Sequence, residues 1–229
     1  MWLLNSSIGR KIVMSLTGIS LVLFLLFHLT MNLTAVFSAE AYNRICTFLG
    51  ANWYAVLATV LLGALVVIHF FYAAMITLQN RKARGNDHYA IVQRPKGVNW
   101  SSQNMFVLGF IICCFFGLHL WQFWSKMMFA ELTGAEEIML NGVMVRPYDG
   151  HAFIIFYFSQ LWVVILYLAW YSALWFHLTH GIWSAFQSIG WNNQRWLNRW
   201  KRVSYVVATL ILLGFAFITI TFYLKSITN

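Results

Sequence analysis

Residues 175 to 186 read WFHLTHGIWSAF and place two histidines, His177 and His180, inside a long apolar segment. Ionisable side chains are costly in such a segment if it crosses a membrane, so their presence predicts a function. The rest of the chain fits a membrane setting. Of its 229 residues 61% are hydrophobic and only 9% are charged, whereas about 25% are charged in a typical soluble domain.

Five apolar segments are long enough to cross the ~30 Å core of a bilayer as helices. A membrane β-barrel would instead alternate polar and apolar residues. The first segment is too long for the core of a cleaved signal peptide, so we expect it to be retained. The predicted fold is an all-α integral membrane bundle, with residues 1–229 as one domain. Its transmembrane helices are expected at approximately 12–37, 54–78, 105–129, 153–189 and 203–224.

The distribution of basic residues predicts the orientation. Eleven of the fifteen lysines and arginines lie at the N-terminus, between Arg81 and Lys96, or between Arg195 and Arg202. Cytoplasmic loops carry such an excess, so we expect a cytoplasmic N-terminus and an outer C-terminus. The net charge of +9 is thus a topology signal, and no nucleic acid partner is predicted. The longest outer loop, 130–152, is expected to fold over the bundle.

Four histidines occur one each in the first four predicted helices: His28, His69, His119 and His177. One intramembrane histidine often only hydrogen-bonds between helices. One in each of four helices favours a shared site. His28 and His119 lie ~14 Å from the predicted outer ends of their helices, and His69 and His177 lie ~18–20 Å from the inner ends. This predicts an outer pair and an inner pair.

Two imidazoles facing each other at one depth suit a b-type haem, whose iron takes one imidazole on each side and carries electrons. Zinc or copper would need further ligands, and no Asp or Glu lies in a predicted helix core. Small residues near the histidines are expected to let a flat macrocycle approach the backbone: Gly63, Ala73, Gly117, Ala173 and Gly181.

His180 follows His177 by three residues and therefore points about 60° away on a helix. The two cannot bind one iron. His180 is a candidate for bonding a haem propionate, a backbone carbonyl or a quinone oxygen, or for a hydrogen bond between helices. Other candidates for the inner propionates are Arg10, Lys11, Ser15, Arg94 and Lys96.

The segments FHLTMN, VIHFFYA, GLHLWQ and FHLTHGIWSAFQSIG surround the four histidines. With them the chain resembles, over nearly its whole length, the five-helix dihaem cytochrome b anchor subunit of succinate:quinone oxidoreductases and menaquinol:fumarate reductases. In that family a histidine begins an H-L-x-x-G segment, which selects His177 over His180. The resemblance implies two haem b groups, with His69 and His177 on the proximal iron and His28 and His119 on the distal iron.

The resemblance also implies partners and a location. These are a flavoprotein subunit, an iron–sulfur subunit and a quinone, in the cytoplasmic membrane of a bacterium. The chain itself lacks a flavin or nicotinamide fingerprint and the cysteine clusters of iron–sulfur sites. We therefore expect it to act as the quinone-reactive electron-transfer subunit, with menaquinone favoured. The basic aromatic segment 191–202 is a candidate docking surface for the iron–sulfur subunit.

The quinone site is less marked in the sequence. If quinone reacts near the outer haem, a carboxylate there should accept protons. Glu40 leads these candidates because it directly follows the His28 helix. Some family members carry a glutamate two residues before the fourth ligand, linked to proton movement, but here Trp175 takes that place. The other candidates are Glu131, Glu136, Glu137 and Asp149.

Two other functions remain open. The first is another dihaem cytochrome b, serving a hydrogenase, formate dehydrogenase or nitrate reductase, whose ligands are expected in other helices and at other spacings. A haem-free transporter could instead use the histidines as a proton relay. Such a transporter typically has broken helices or paired intramembrane carboxylates, and the sequence indicates neither.

Overall fold

A computed structural model of the protein describes residues 6–84, 100–191 and 193–228. Five helices in this part of the chain are long and apolar enough to cross a membrane. This confirms the prediction of an all-α membrane bundle with five spanning helices. Arg94 and Lys96, proposed as propionate partners, lie outside the described residues together with most of their loop. The cytoplasmic position of the N-terminus stays a prediction.

The spanning helices are joined by short helices and one hairpin. In chain order the elements are α1 (Ser7–Phe37), α2 (Ala39–Phe48), α3 (Trp53–Arg84), α4 (Trp100–Gln103), α5 (Met105–His119), a π-helical segment (Leu120–Trp124), α6 (Met128–Leu132), β1 (Ile138–Leu140), β2 (Val143–Val145), α7 (Gly150–Phe158), α8 (Leu161–Ser188) and α9 (Gln194–Thr228).

Short polar side chains set several helix ends. Ser6 caps α1 by accepting a hydrogen bond from the N–H of Gly9 at 2.9 Å. Ser38 ends α1 in an extended conformation and caps α2 through the N–H of Ala41 at 3.1 Å. Serine satisfies N–H groups that the first turn of a helix leaves unpaired. The chain therefore turns sharply at Ser38 from a spanning helix into a surface helix.

Two predicted helices are interrupted. The segment 105–129 becomes π-helical directly after His119, where the N–H of Ser125 donates to the carbonyl of Leu120 at 2.8 Å. The segment 153–189 breaks at Ser159 and Gln160, whose side chains both donate to the carbonyl of Phe156. Side chains that bond nearby carbonyls compete with the helical pattern. Apolar periodicity alone does not reveal either break.

Helix α8 lies at the centre of the bundle and packs against α1, α5 and α9. Helix α3 packs mainly against α1 and α5. Many large buried side chains near the middle of the bundle come from α7 and α8, including Phe153, Val163 and Tyr167. Helix α8 is thus the central helix of the bundle, and α3 lies at its periphery against α1 and α5.

The loop from 130 to 152 packs on one end of the bundle, as predicted for a loop that folds over it. Asn141 and Gly142 join β1 to β2, and both have positive φ. This backbone conformation favours asparagine and glycine. The hairpin buries Leu140 in the main core cluster. Asp149 accepts hydrogen bonds from the side chain of Asn43 at 2.7 Å and the N–H of Ala152 at 3.2 Å, and so ties α7 to α2.

Candidate haem and quinone site

The four intramembrane histidines lie in two pairs. The ring centroids of His28 and His119 are 5.9 Å apart, and those of His69 and His177 are 6.4 Å apart. These are the same two pairs that the depth of the residues in the sequence predicts. Their binding of haem stays a prediction.

The ring separations suit one metal ion between the two members of a pair. A metal–imidazole nitrogen bond is about 2 Å long, so two rings on opposite sides of one metal have centroids about 6 Å apart. A direct hydrogen bond between the rings would bring two nitrogens to about 3 Å, and none joins the members of either pair among the described residues. The residues present therefore fit axial ligation of two haems.

Each pair meets across a gap between helices. His28 on α1 faces His119 on α5, and His69 on α3 faces His177 on α8, yet neither pair of helices packs closely along its length in the described part of the chain. All four rings line one partly open cavity of about 1830 Å³. Sites for one small ligand usually have roughly 300–1,000 Å³. The cavity therefore has room for more than one such ligand between the helices.

Two histidines have hydroxyl partners that the sequence analysis missed. The Nδ1 of His69 lies 3.0 Å from the Oγ1 of Thr17 on α1. The Nδ1 of His119 lies 3.3 Å from the hydroxyl of Tyr167 on α8, which in turn donates to the Oε1 of Gln122 at 2.7 Å. Thr17, Gln122 and Tyr167 are buried polar residues in apolar spans, and this polarity is the signal that could have identified them.

The other two histidines are held differently. The side-chain nitrogen of Asn32 lies 3.4 Å from both ring nitrogens of His28, while it donates to the carbonyl of His28 at 2.8 Å. The Nδ1 of His177 is buried and has no hydrogen-bond partner among the described residues. Each predicted haem would thus have one histidine bonded to a hydroxyl and one without such a partner.

The small residues beside the rings are only partly those predicted. A Cβ atom at Gly63 or Gly117 would meet nothing within 4 Å, so neither lies against a ring. A Cβ at Gly18 would lie 3.2 Å from Cε1 of His69, and one at Gly109 would lie 3.7 Å from Cε1 of His177. Gly18 is therefore the tightest glycine beside a predicted ligand. Gly63, Ala73 and Gly181 line the cavity, whereas Gly117 and Ala173 do not.

His180 lines the same cavity as the paired histidines. Its buried Nδ1 has no hydrogen-bond partner within the part of the chain that the structure describes, and its ring contacts Trp183 edge to face at 4.9 Å. The ammonium of Lys201 lies 5.1 Å above the Trp183 ring. Lys11 and Ser15 also line the cavity. The cavity lining therefore combines the His180 imidazole with the Lys11 ammonium and the Ser15 hydroxyl, which suits a carboxylate such as a haem propionate.

The structure distinguishes among the acidic candidates. Glu40 is exposed, forms an ion pair with Arg44 at 2.7 Å and does not line the histidine cavity. Glu131 does line it, and its Oε2 accepts a hydrogen bond from the N–H of Ala51 at 3.1 Å. Glu136 is exposed. Glu137 and Asp149 border a separate surface groove together with Glu40.

Two further observations concern chemistry beyond the pairs. In the described ranges 6–84, 100–191 and 193–228, no three side chains of His, Cys, Asp or Glu converge as a metal site. A haem needs only two protein ligands, because its porphyrin occupies the other positions on the iron. Trp175 donates from its indole N–H to the Oγ1 of Thr209 at 3.0 Å.

Comparison with models of known protein families found no match for this chain, and comparisons with curated proteins and with solved structures found none either.

Proposed function

We propose that this chain is the membrane-anchor, quinone-reactive cytochrome b subunit of a succinate dehydrogenase or fumarate reductase complex. It carries electrons between menaquinone and an iron–sulfur subunit through two bis-histidine b haems. The observation that supports this most is the meeting of His28 with His119 and of His69 with His177 across one cavity. The motif resemblance around the same histidines is the second support.

The protein's part in this function is to hold and order the two haems. A haem iron with two imidazole ligands has no open position for oxygen and transfers single electrons. His69 and His177 hold the inner, proximal group, and His28 and His119 hold the distal one. The partner flavoprotein carries the dicarboxylate chemistry. Because both pairs line one cavity, two haems held by them would lie in the same bundle and would supply single-electron transfer there.

Quinol oxidation releases two electrons and two protons, so a proton acceptor must lie beside the quinone. We assign this role to Glu131 rather than to Glu40. Glu131 lines the histidine cavity, which Glu40 does not. One Glu131 carboxylate oxygen is held by the N–H of Ala51, which fixes its position. General acid–base groups work when they are within hydrogen-bond reach of the reacting group.

The proposed orientation places the N-terminus in the cytoplasm and the C-terminus outside, in the cytoplasmic membrane of a bacterium. The segment from Arg195 to Arg202 supplies the positive charge on the inner side. There, Trp196 is partly exposed and lies under the guanidinium of Arg199 at 4.9 Å. This basic aromatic surface is the proposed contact for the iron–sulfur subunit.

The test is isolation of the complex from native membranes. We expect a flavoprotein and an iron–sulfur protein to co-purify with this chain, and the preparation to reduce fumarate with a menaquinol analogue or to oxidise succinate with a quinone. Co-purification with a hydrogenase, formate dehydrogenase or nitrate reductase would assign the same haem geometry to another respiratory complex. A purified chain without haem would favour a histidine-relay transporter.

A further inference from the structure

The hydroxyl groups of Thr17 and Tyr167, the partners of His69 and His119, both donate their hydrogen to a carbonyl oxygen. A hydroxyl group has one hydrogen to donate and can also accept. The hydroxyl of Tyr167 donates to the carbonyl oxygen of Gln122 at 2.7 Å. The hydroxyl of Thr17 donates to the carbonyl of Val13 at 2.9 Å, with that of Met14 at 3.1 Å. Carbonyl oxygens can only accept, so both hydroxyl hydrogens are committed.

Because both hydroxyl hydrogens are used in this way, each hydroxyl oxygen must act as the acceptor in its hydrogen bond with the histidine. With its hydrogen on Gln122, Tyr167 can only accept from the Nδ1 of His119 at 3.3 Å. With its hydrogen on α1, Thr17 can only accept from the Nδ1 of His69 at 3.0 Å. A neutral imidazole carries one hydrogen, so donation from Nδ1 leaves Nε2 with a free lone pair.

We propose that Thr17 and Tyr167 are positioning residues that fix the tautomer of one histidine in each pair, His69 and His119, with Nδ1 protonated and Nε2 turned to the metal. This inference rests on the proposed function. Hydrogen bonds from the far ring nitrogen orient metal-binding histidines and make them more basic ligands. Among residues 6–84, 100–191 and 193–228, the ring nitrogens of His28 have only long contacts to an amide, and the Nδ1 of His177 has no hydrogen-bond partner. Each haem thus has one fixed and one adaptable ligand.

The local fold explains why these residues are available. Thr17 lies on α1 next to Gly18, where α1 approaches the ring of His69 most closely. Gln122 is 1% exposed and lies in the π-helical segment that follows His119. Single-turn π segments occur often at functional sites. The π turn places the amide of Gln122 against Tyr167, whose hydroxyl reaches His119.

The experiment compares Thr17→Val and Tyr167→Phe in the intact complex, with potentiometric titration of both haems as the readout. Each variant removes only the hydroxyl. A less basic imidazole stabilises oxidised iron less, so we expect the midpoint potential of one haem to rise, by up to a tenfold change in its reduced-to-oxidised ratio, or about 59 mV for one electron. Thr17→Val should shift the His69–His177 haem, and Tyr167→Phe the His28–His119 haem.

The chain offers a matched control. Tyr171 and Thr219 are both buried and join each other by a hydrogen bond of 3.0 Å that includes no histidine. Both residues line the same cavity, so Tyr171→Phe and Thr219→Val remove the same groups beside the proposed haems without breaking a bond to a histidine, and each should shift either potential much less than the test variants do. Thr17→Ser keeps a hydroxyl and should restore the original potential. If Tyr167→Phe does not accumulate, Thr17→Val and Thr17→Ser decide the matter.

The outcomes separate this inference from the proposed function. If both haems are present and the test variants behave like the two controls, the tautomer assignment is overturned and the proposed function stands. If Thr17→Ser shifts the potential as much as Thr17→Val, the hydroxyl is not the cause, and the assignment of Thr17 fails. If the wild-type chain binds no haem, both the function and the inference are wrong.

Discussion

The ring centroids of His69 and His177 are 6.4 Å apart. Their helices α3 and α8 nevertheless do not pack closely along their length in the described part of the chain. The gap between these helices belongs to a cavity of about 1830 Å³. Apolar helices normally close such gaps, because voids forfeit packing contacts. The haem that we propose between the two imidazoles would account for both the gap and the histidines.

His177 and His180 should differ sharply in their importance. His177→Gln should lose the proximal haem and quinone-linked turnover, while artificial dyes still support succinate or fumarate chemistry in the partner subunits. His180→Gln should keep both haems, because His180 faces another part of the cavity, near Trp183. Haem content and dye-linked activity of the two variants provide the check. Loss of haem in the His180 variant alone would show that the ligand is His180, one helical turn further along α8, and not His177.

Glu131 and Glu40 offer a matched pair of carboxylates for the quinone site. Glu131→Gln keeps an oxygen that can accept from Ala51 but cannot take a proton from quinol, so menaquinol-linked turnover should fall about 100-fold. Glu40→Gln disrupts only an exposed ion pair and should leave turnover nearly unchanged. Steady-state assays with a quinol and with a dye distinguish the two. Equal effects of both changes on quinol-linked turnover would show that Glu131 is not the proton acceptor.

A larger side chain should be tolerated less well at Gly18 than at Gly109. Gly18→Ala places a methyl group 3.2 Å from the His69 ring, a distance at which the ring must move. Gly109→Ala places one at an ordinary 3.7 Å from His177. Gly18→Ala should therefore weaken retention of the proximal haem and leave the distal one unaffected. Spectra recorded during haem extraction check this, and faster loss in the Gly109 variant would contradict the geometry.

The sequence predicts the spanning helices and the histidine pairs because both depend on simple periodicities. Hydropathy identifies the five spans, and helical rise places His28 with His119 by depth alone. The breaks after His119 and at Ser159 depend on local side-chain hydrogen bonds, which hydropathy does not register. The partners Thr17 and Tyr167 are set by contacts between distant helices, so spacing along the chain cannot reveal them.

The acidic residues were harder to rank from sequence for a similar reason. Glu40 follows the His28 helix directly, yet Ser38 turns α2 so that Glu40 lies on the exposed surface. Glu131 comes from the distant segment after α5, and the fold brings it beside the turn at Gly50 and Ala51. Proximity in sequence therefore favoured Glu40, whereas the fold places Glu131 in the lining of the cavity.

Single histidine variants should divide the two haems between the two pairs. His69→Ala and His177→Ala should each remove the same haem, and His28→Ala and His119→Ala should each remove the other. Loss of one axial ligand leaves the iron open and weakly held. Redox titration of each variant identifies the remaining haem by its potential. Removal of one shared haem by His28→Ala and His69→Ala would overturn the pairing.

The most direct test of the central claim is the haem content of the purified chain, measured with reduced-minus-oxidised spectra and a pyridine haemochrome assay. We predict two b-type haems for each copy of the chain, both low-spin in the oxidised state, because each has two imidazole ligands. A chain that folds in the membrane and shows no b-type alpha band would contradict the claim.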